Sequence, residues 1–329
     1  MSSRSSDPVQ RAAAGVGAAL GQVLRSKPQG PPARGAHRLA QAVYQEDLDA
    51  LRAALEEGLP ADAPVPDRPF TPLMVACGRD FLEGVRLLLA HGAEVNRLVP
   101  GYGSPLTFAL SSDTRRAVPV LLEAGADPSL SPEGISAPLV FAATARDEAT
   151  ARLLLDHGAS LEAQDTQGWS LLAIALAEHL DDLALELIRR GARPDHREPD
   201  GTTPLSMALD GLLEPLALAM LEAPGLDPQA LRLSDGRGLL DLAAAGGLVA
   251  AGRRLLALGE PVDGPTDQAV PPLHRALIYG QPAFADLLLE HGASLASRPQ
   301  APLLRVAAFV GHLGSLERGR AQALDVLAP

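Results

Sequence analysis

The sequence predicts an all-α repeat solenoid, and three observations carry that prediction. Pro-Leu pairs recur at Pro72-Leu73, Pro105-Leu106, Pro138-Leu139, Pro204-Leu205 and Pro272-Leu273. Leu171-Leu172 takes a further place in the series, so the marks at 72, 105, 138, 171 and 204 lie 33 residues apart. A glycine recurs in phase at Gly58, Gly92, Gly125, Gly158, Gly191, Gly225, Gly259 and Gly292, in steps of 33 or 34. Aromatics make up only 3% of the 329 residues, while hydrophobic residues make up 47%. A large core without aromatics is built from Leu, Ala and Val, which favours helix packing over stacked sheets. Two independent markers sharing one period indicate stacked units, none of which buries its apolar faces alone.

The segment from Phe70 to Gly92 shows how a unit is built. Pro72 fits the first turn of a helix, where its missing N–H leaves nothing unpaired. Leu73, Ala76 and Cys77 then follow at i, i+3 and i+4 as one apolar face. Residues Gly78 to Asp80 break that helix, and a second one carries Val85, Leu88 and Leu89 on one face. Gly92 ends it as a left-handed cap. The residues before the next proline are turn-rich, as in Asp165, Gln167 and Gly168 or in Asp200-Gly201. Each unit is therefore helix, tight turn, helix and hairpin-like loop.

Thr71-Pro72-Leu73, Thr203-Pro204-Leu205 and Pro272-Leu273-His274-Arg275-Ala276 resemble the Thr-Pro-Leu-His-x-Ala signature of ankyrin repeats. Leu88-Leu89-Ala90-His91-Gly92-Ala93 and Leu288-Leu289-Glu290-His291-Gly292-Ala293 resemble the end of that family's second helix. The resemblance covers residues 37–329 as eight to nine units, with 37–65 as N-terminal cap and 299–329 as C-terminal cap. It implies an ankyrin-type stack of helix-turn-helix units joined by hairpin-like loops. There are departures. Pro119 falls inside a second helix, which should start late or kink. The stretch from 198 to 265 holds Glu222-Ala223-Pro224-Gly225-Leu226, and its second unit lacks the Thr-Pro pair, so the stack should be least regular there.

Residues 1–36 show no repeat and read as a flexible, mostly disordered leader of net charge +4. Their Ala/Gly-rich apolar stretch is a poor secretory signal. No stretch reaches 18 apolar residues, the length a spanning helix needs. The whole chain carries −12, concentrated as −13 over residues 101–267. That field opposes nucleic acid and favours a protein partner with a basic surface. With 27 Arg against the single Lys27, plus abundant Ala, Gly and Pro, the chain reads as the product of a GC-rich, bacterial genome.

Catalytic and cofactor motifs are not found. There is no Walker loop, no dinucleotide-binding glycine motif after a strand and no nucleophile elbow. The one cysteine, Cys77, sits where a small buried residue fits. His91, His157 and His291 precede Gly-Ala at one repeat phase, and His274 follows Pro-Leu; the resemblance makes these scaffold positions. Asp195-His196-Arg197-Glu198 with Asp200 is the densest polar cluster, but it lies in a loop where solvated charges are expected. No enzyme activity, cofactor or metal is expected.

The resemblance implies protein binding on a concave face made by the loop tips and the exposed side of each first helix. Candidate contacts are Phe70, Tyr102, Trp169, Tyr279 and Phe309, with the charged residues Arg79, Asp80, Glu178, Asp210, Arg237 and Arg275. Aromatic and Arg side chains supply most of the energy of such interfaces. Trp169, the only tryptophan, reads equally as a contact or as a brace for its hairpin. The expectation is a cytoplasmic monomer binding one protein, in an immunity, inhibitor or scaffold role. The alternative is an envelope- or membrane-associated protein targeted by residues 1–36.

Overall fold

The computed structural model describes residues 36–65, 68–264 and 270–294. The leader at 1–35, the cap at 299–329 and the candidate Phe309 lie outside the described residues. The chain divides into two compact units, one ending at Leu183 and one beginning at Ala184.

In the first unit the helices come in pairs. They are α1 (Ala36–Gln45) with α2 (Leu48–Glu56), α3 (Pro72–Gly78) with α4 (Leu82–Ala90), α5 (Pro105–Leu110) with α6 (Ala117–Glu123), and α7 (Pro138–Thr144) with α8 (Glu148–Asp156). Then come α9 (Leu171–Ala177) and α10 (Asp181–Arg189), within which the boundary falls. In the second unit α11 (Pro204–Asp210) pairs with α12 (Glu214–Leu221), α13 (Leu239–Gly246) with α14 (Val249–Ala257), and α15 (Pro272–Ile278) with α16 (Pro282–Glu290). Among the described residues there is no strand, only two isolated bridges, Val99–Gly103 and Gln164–Ser170. Each unit is an all-α repeat solenoid, as the period predicts.

Each Pro-Leu mark begins a first helix. Pro72, Pro105, Pro138, Pro204 and Pro272 all take the first helical position. The residue before several of them supplies the cap: Thr71, Ser104 and Thr203 each accept a hydrogen bond from the backbone N–H three residues on. Ser170 does the same for α9, where no proline follows. Such caps satisfy donors that a helix leaves open.

The first helices are buried over almost their whole length: Leu73 to Cys77, Leu106 to Leu110, Leu139 to Ala143, Leu171 to Leu176 and Leu239 to Ala244. The cause is stacking. Each packs on its own second helix and on neighbouring first helices, as α3 does on α4, α1 and α5, and α13 on α14, α11 and α15. Such a helix has little exposed side to offer. That departs from the sequence expectation, because a six- or seven-residue helix is too short to rotate one face outward once neighbours flank it.

The turn between first and second helix holds one left-handed residue in every pair: Glu46, Asp80, Arg115, Arg146, His179, Leu212, Gly247 and Gly280, with φ between 53° and 69°. The eight phased glycines at the ends of the second helices have φ between 77° and 96°. In seven of them an added Cβ would meet nothing within 4 Å, so the left-handed backbone, not crowding, requires glycine. Pro119 acts as expected. Helix α6 begins at Ala117, two residues later than the phase of α8 at Glu148, and is seven residues long instead of nine.

Beyond five of these glycines a polar side chain reaches the next repeat's backbone. Asp62 accepts from Glu94 N at 3.0 Å, Asn96 from Asp127 N at 2.8 Å, Ser129 from Ser160 N at 3.0 Å and Asp263 from Ser294 N at 2.8 Å. Asn96 also donates to Gly125 O at 3.1 Å, and Gln229 to Gly259 O at 2.6 Å. Asp195 holds the same phase but pairs with Arg193 at 3.2 Å. There the stack departs from its pattern: a 3₁₀ turn, Pro228–Ala230, follows α12 in the region expected to be least regular. Replacing Asn96 by Ala removes both of its bonds across the repeat junction. The expected loss is about 1–2 kcal/mol in urea unfolding, against about zero for the neighbouring surface change Arg97→Ala.

Candidate functional site

The hairpin-like loops are built alike. Backbone bonds close them at Val65–Phe70, Val99–Gly103, Asp165–Trp169, Glu198–Thr202 and Leu233–Arg237, with lengths of 2.9 to 3.0 Å. Asp165, Asp200 and Asp235 further accept N–H groups two residues on, which fixes the turns. The frame uses backbone atoms and short polar side chains, so the apex residues are left free to vary. Glu133, Asp200 and Asp235 are exposed at their apices.

The candidate residues fall at two ends of the first helices. Phe70, Tyr102, Trp169 and Arg237 lie at the hairpin end. Phe70 is 1% exposed and packs edge-on against Tyr102 at 4.9 Å and Phe108 at 5.1 Å. It is therefore core, and its ring braces Tyr102, which is 37% exposed. Trp169 is half-buried; its N–H donates to Asp165 at 2.9 Å and its carbonyl accepts from Asp165 N. Arg237 pairs with Asp235 of its own hairpin at 2.6 Å.

Arg79, Asp80, Glu178, Asp210 and Tyr279 lie instead at the inter-helix turns. A seven-residue helix separates the two ends by about 10 Å. In the first unit these turns form an ion-pair ladder: Glu46–Arg79 at 2.8 Å, Asp80–Arg116 at 2.7 Å, Arg115–Asp147 at 2.9 Å and Arg146–Glu178 at 3.7 Å. Asp80 also accepts from Thr114, and Glu178 is buried. These charges face the next repeat and hold it. Asp210 and Tyr279 are exposed.

Arg275 belongs to neither end. Its Nε lies 3.0 Å from Oδ1 of Asp241, which is 1% exposed and bonds Gly238 N at 3.0 Å. Beside this pair sits Glu260, 5% exposed. Leu239 N–H bonds to Glu260, but its Oε1 has no hydrogen-bond partner, and neither has Nη1 of Arg232. A Cβ on Gly238 would lie 3.6 Å from that Nη1 and 3.7 Å from that Oε1, so both groups flank the glycine. Burial pushes the Glu260 carboxyl up to about 7; Asp241 and Asp227 add to the rise and Arg232 opposes it. Burial also raises Asp241, against the pull of Gly238 N–H and Arg275. Of this group only Arg275 is among the residues singled out from the sequence, because nothing in a periodic pattern marks an acid as buried.

The Asp195 to Asp200 cluster is dispersed. Asp195 turns to Arg193, Arg197 donates to Gly201 O and Arg232 O, and Asp200 closes its own turn onto Thr202. Among the described residues no group of three His, Cys, Asp or Glu is placed to hold a metal. Cys77 is buried, and burial raises its thiol far above the ordinary value. Nδ1 of His291 lies 2.9 Å from Leu287 O at the end of its helix, a scaffold contact. Near Asp195 a cleft of about 630 Å³ is lined by Ile188, Ala192, Pro194, Ala219, Pro224 and Leu226.

Residues 39–132 match the family model for ankyrin repeats, in three copies. Residues 39–132 carry ankyrin repeats. The later helix pairs repeat the same build, with a left-handed turn and a terminal glycine at the same phase. No curated protein matches the chain. Ankyrin repeats are in general protein–protein interaction modules. No helix among the described residues is long and apolar enough to cross a membrane.

Two outcomes follow from the buried acids. Arg275→Ala leaves Asp241 buried without its cation and is expected to destabilise by about 2–4 kcal/mol in chemical unfolding. A residue serving only as a partner contact would show almost no change. Glu260 is protonated more readily folded than unfolded, so its stabilising contribution is complete below about pH 4.5 and lost as pH rises through about 7. Glu260→Gln keeps the protonated shape. It is expected to exceed wild type in stability by about 1–3 kcal/mol at pH 8, with the advantage shrinking towards pH 5. Unfolding curves at both pH values measure it.

Proposed function

We propose that this protein is a non-enzymatic recognition module that binds another protein along its hairpin apices. The observation that carries the reading is the constancy of the hairpin frame against the freedom of its tips. The same backbone bonds close the hairpins at Val99–Gly103, Glu198–Thr202 and Leu233–Arg237, while the apices change from Tyr102 to Asp200 and Asp235. Tyr102, set on buried Phe70, and Trp169, whose backbone is tied to Asp165, are aromatics partly open to solvent. Such residues anchor interfaces with little loss of rotamer freedom.

The acids at the apices and the net charge of −12 support a partner with a basic surface. An inhibitor or immunity role against a basic active site fits that sign, as does a scaffold role. The same reading places the protein in the cytoplasm as a monomer.

The test is affinity capture from native lysate, with mass-spectrometric identification, using wild type and the Tyr102→Ala/Trp169→Ala variant. The expected result is a basic protein retained by wild type and lost, or weakened about tenfold or more, by a variant with an unchanged circular dichroism spectrum. Equal capture by both proteins would overturn the hairpin reading.

A further inference from the structure

The inter-helix turns of the second unit lack the ion-pair ladder that ties those of the first. The left-handed positions there are Leu212, Gly247 and Gly280, flanked by Gly211, Gly246, Ile278 and Tyr279. Leu212 is 58% exposed, Ile278 49% and Tyr279 60%; among the described residues only Tyr102 and Val270 join them as exposed large apolar side chains. Leu212 holds φ 59°, a conformation that suits Gly, Asn or Asp and disfavours Leu. Leu212 lays one methyl on Gly246 of the next repeat and leaves most of its side chain in solvent.

The glycines shape the surface. A Cβ on Gly246 would come 2.5 Å from a methyl of Leu212, and one on Gly247 would come 2.3 Å from Oε1 of Gln281. The glycines of the middle turn thus leave room for Leu212 on one side and Gln281 on the other, and the three turns join as one strip. Residues 209–216, 243–251 and 276–284 contain Asp210 and Glu214 as their only charges. Asp210 is exposed, and Glu214 accepts from Ala250 N and Ala251 N at 2.9 and 3.1 Å. The ridge is apolar, its charges are acidic, and it has no cation.

We propose that this ridge, Leu212, Gly246, Gly247, Ile278 and Tyr279, is a second docking surface, for a helical segment of another protein that presents bulky apolar side chains flanked by Arg. Grouped exposed apolar side chains mark interaction sites. The acids without bases set the sign of the partner's charge. Two steps of about 8–10 Å between stacked helices give a ridge of about 16–20 Å, the length of a helix of about 11–13 residues. The surface lies at the opposite end of the first helices from the hairpin apices and is independent of them.

The test uses the full chain and a fluorescein-labelled helical peptide of about 16 residues, with Leu along one face and Arg beside it. Fluorescence anisotropy compares it with versions carrying Glu for Arg and Ser for Leu. The expected result is binding of the Arg/Leu peptide alone, weakened about tenfold or more by Leu212→Asn with Tyr279→Ser and unchanged by Val270→Ser. Leu212→Asn by itself should hold or raise the melting temperature, because Asn suits the left-handed backbone. Equal binding by wild type and the ridge variant, or by the Glu peptide, overturns the proposal. A dimer in sedimentation that the ridge variant abolishes would assign the surface to a second copy and equally overturn it.

Discussion

Burial of the first helices is the constraint on which the rest of the structure depends. After the ten-residue α1 each is six to eight residues long, as in Pro105–Leu110 and Leu239–Gly246, too short to persist alone in water. They survive because a second helix and neighbouring first helices cover them on several sides. That requirement places Pro at the start, so that a chain emerging from a loop is already aimed into a helix. It also requires a left-handed residue immediately after, since the second helix must fold straight back. Side chains with function are thereby excluded from the middle of the first helix and pushed to its two ends.

The two ends carry different chemistry. The hairpin end is framed by backbone bonds and short acids that satisfy their own turns. The turn end of the first unit is closed by Arg and acid pairs reaching from one repeat to the next. Exposed ion pairs of this sort contribute little individually, but several in sequence define which repeat faces which. The buried acids around Gly238 are a separate matter. Asp241 has a cation and a backbone donor, whereas Glu260 shares its surroundings with two further acids and leaves one oxygen unpaired. In the low-dielectric interior that imbalance favours the protonated carboxyl.

Much of the fold was legible because the repeat is written in residues with backbone consequences. Proline after Thr71 or Thr203, and glycine at Gly92 or Gly292, are dictated by dihedral angles that any sequence must meet, so they recur visibly. Even the short α6 could be read from Pro119. The surface was less legible. Phe70 looked like a contact because an aromatic before a Pro-Leu mark is indistinguishable from one that turns inward onto Phe108 of the next repeat. Arg79 and Asp80 looked like free charges because their partners, Glu46 and Arg116, are more than 30 residues distant. Leu212 and Ile278 were passed over for the reverse reason: in a Leu-rich chain an apolar residue is assumed to be core.

The side chains at Asp62, Asn96, Ser129 and Asp263 all address backbone N–H groups of the following repeat, never its side chains. A junction built this way reads only the path of the main chain. At these junctions a repeat on the same path is accepted whatever its apex residues, provided its buried face and its turn charges match those of its neighbours. The array can therefore grow or shrink by whole periods through duplication or deletion at the gene level, with each newcomer locked in at once. Its surface can drift to a new partner without any junction having to be rebuilt.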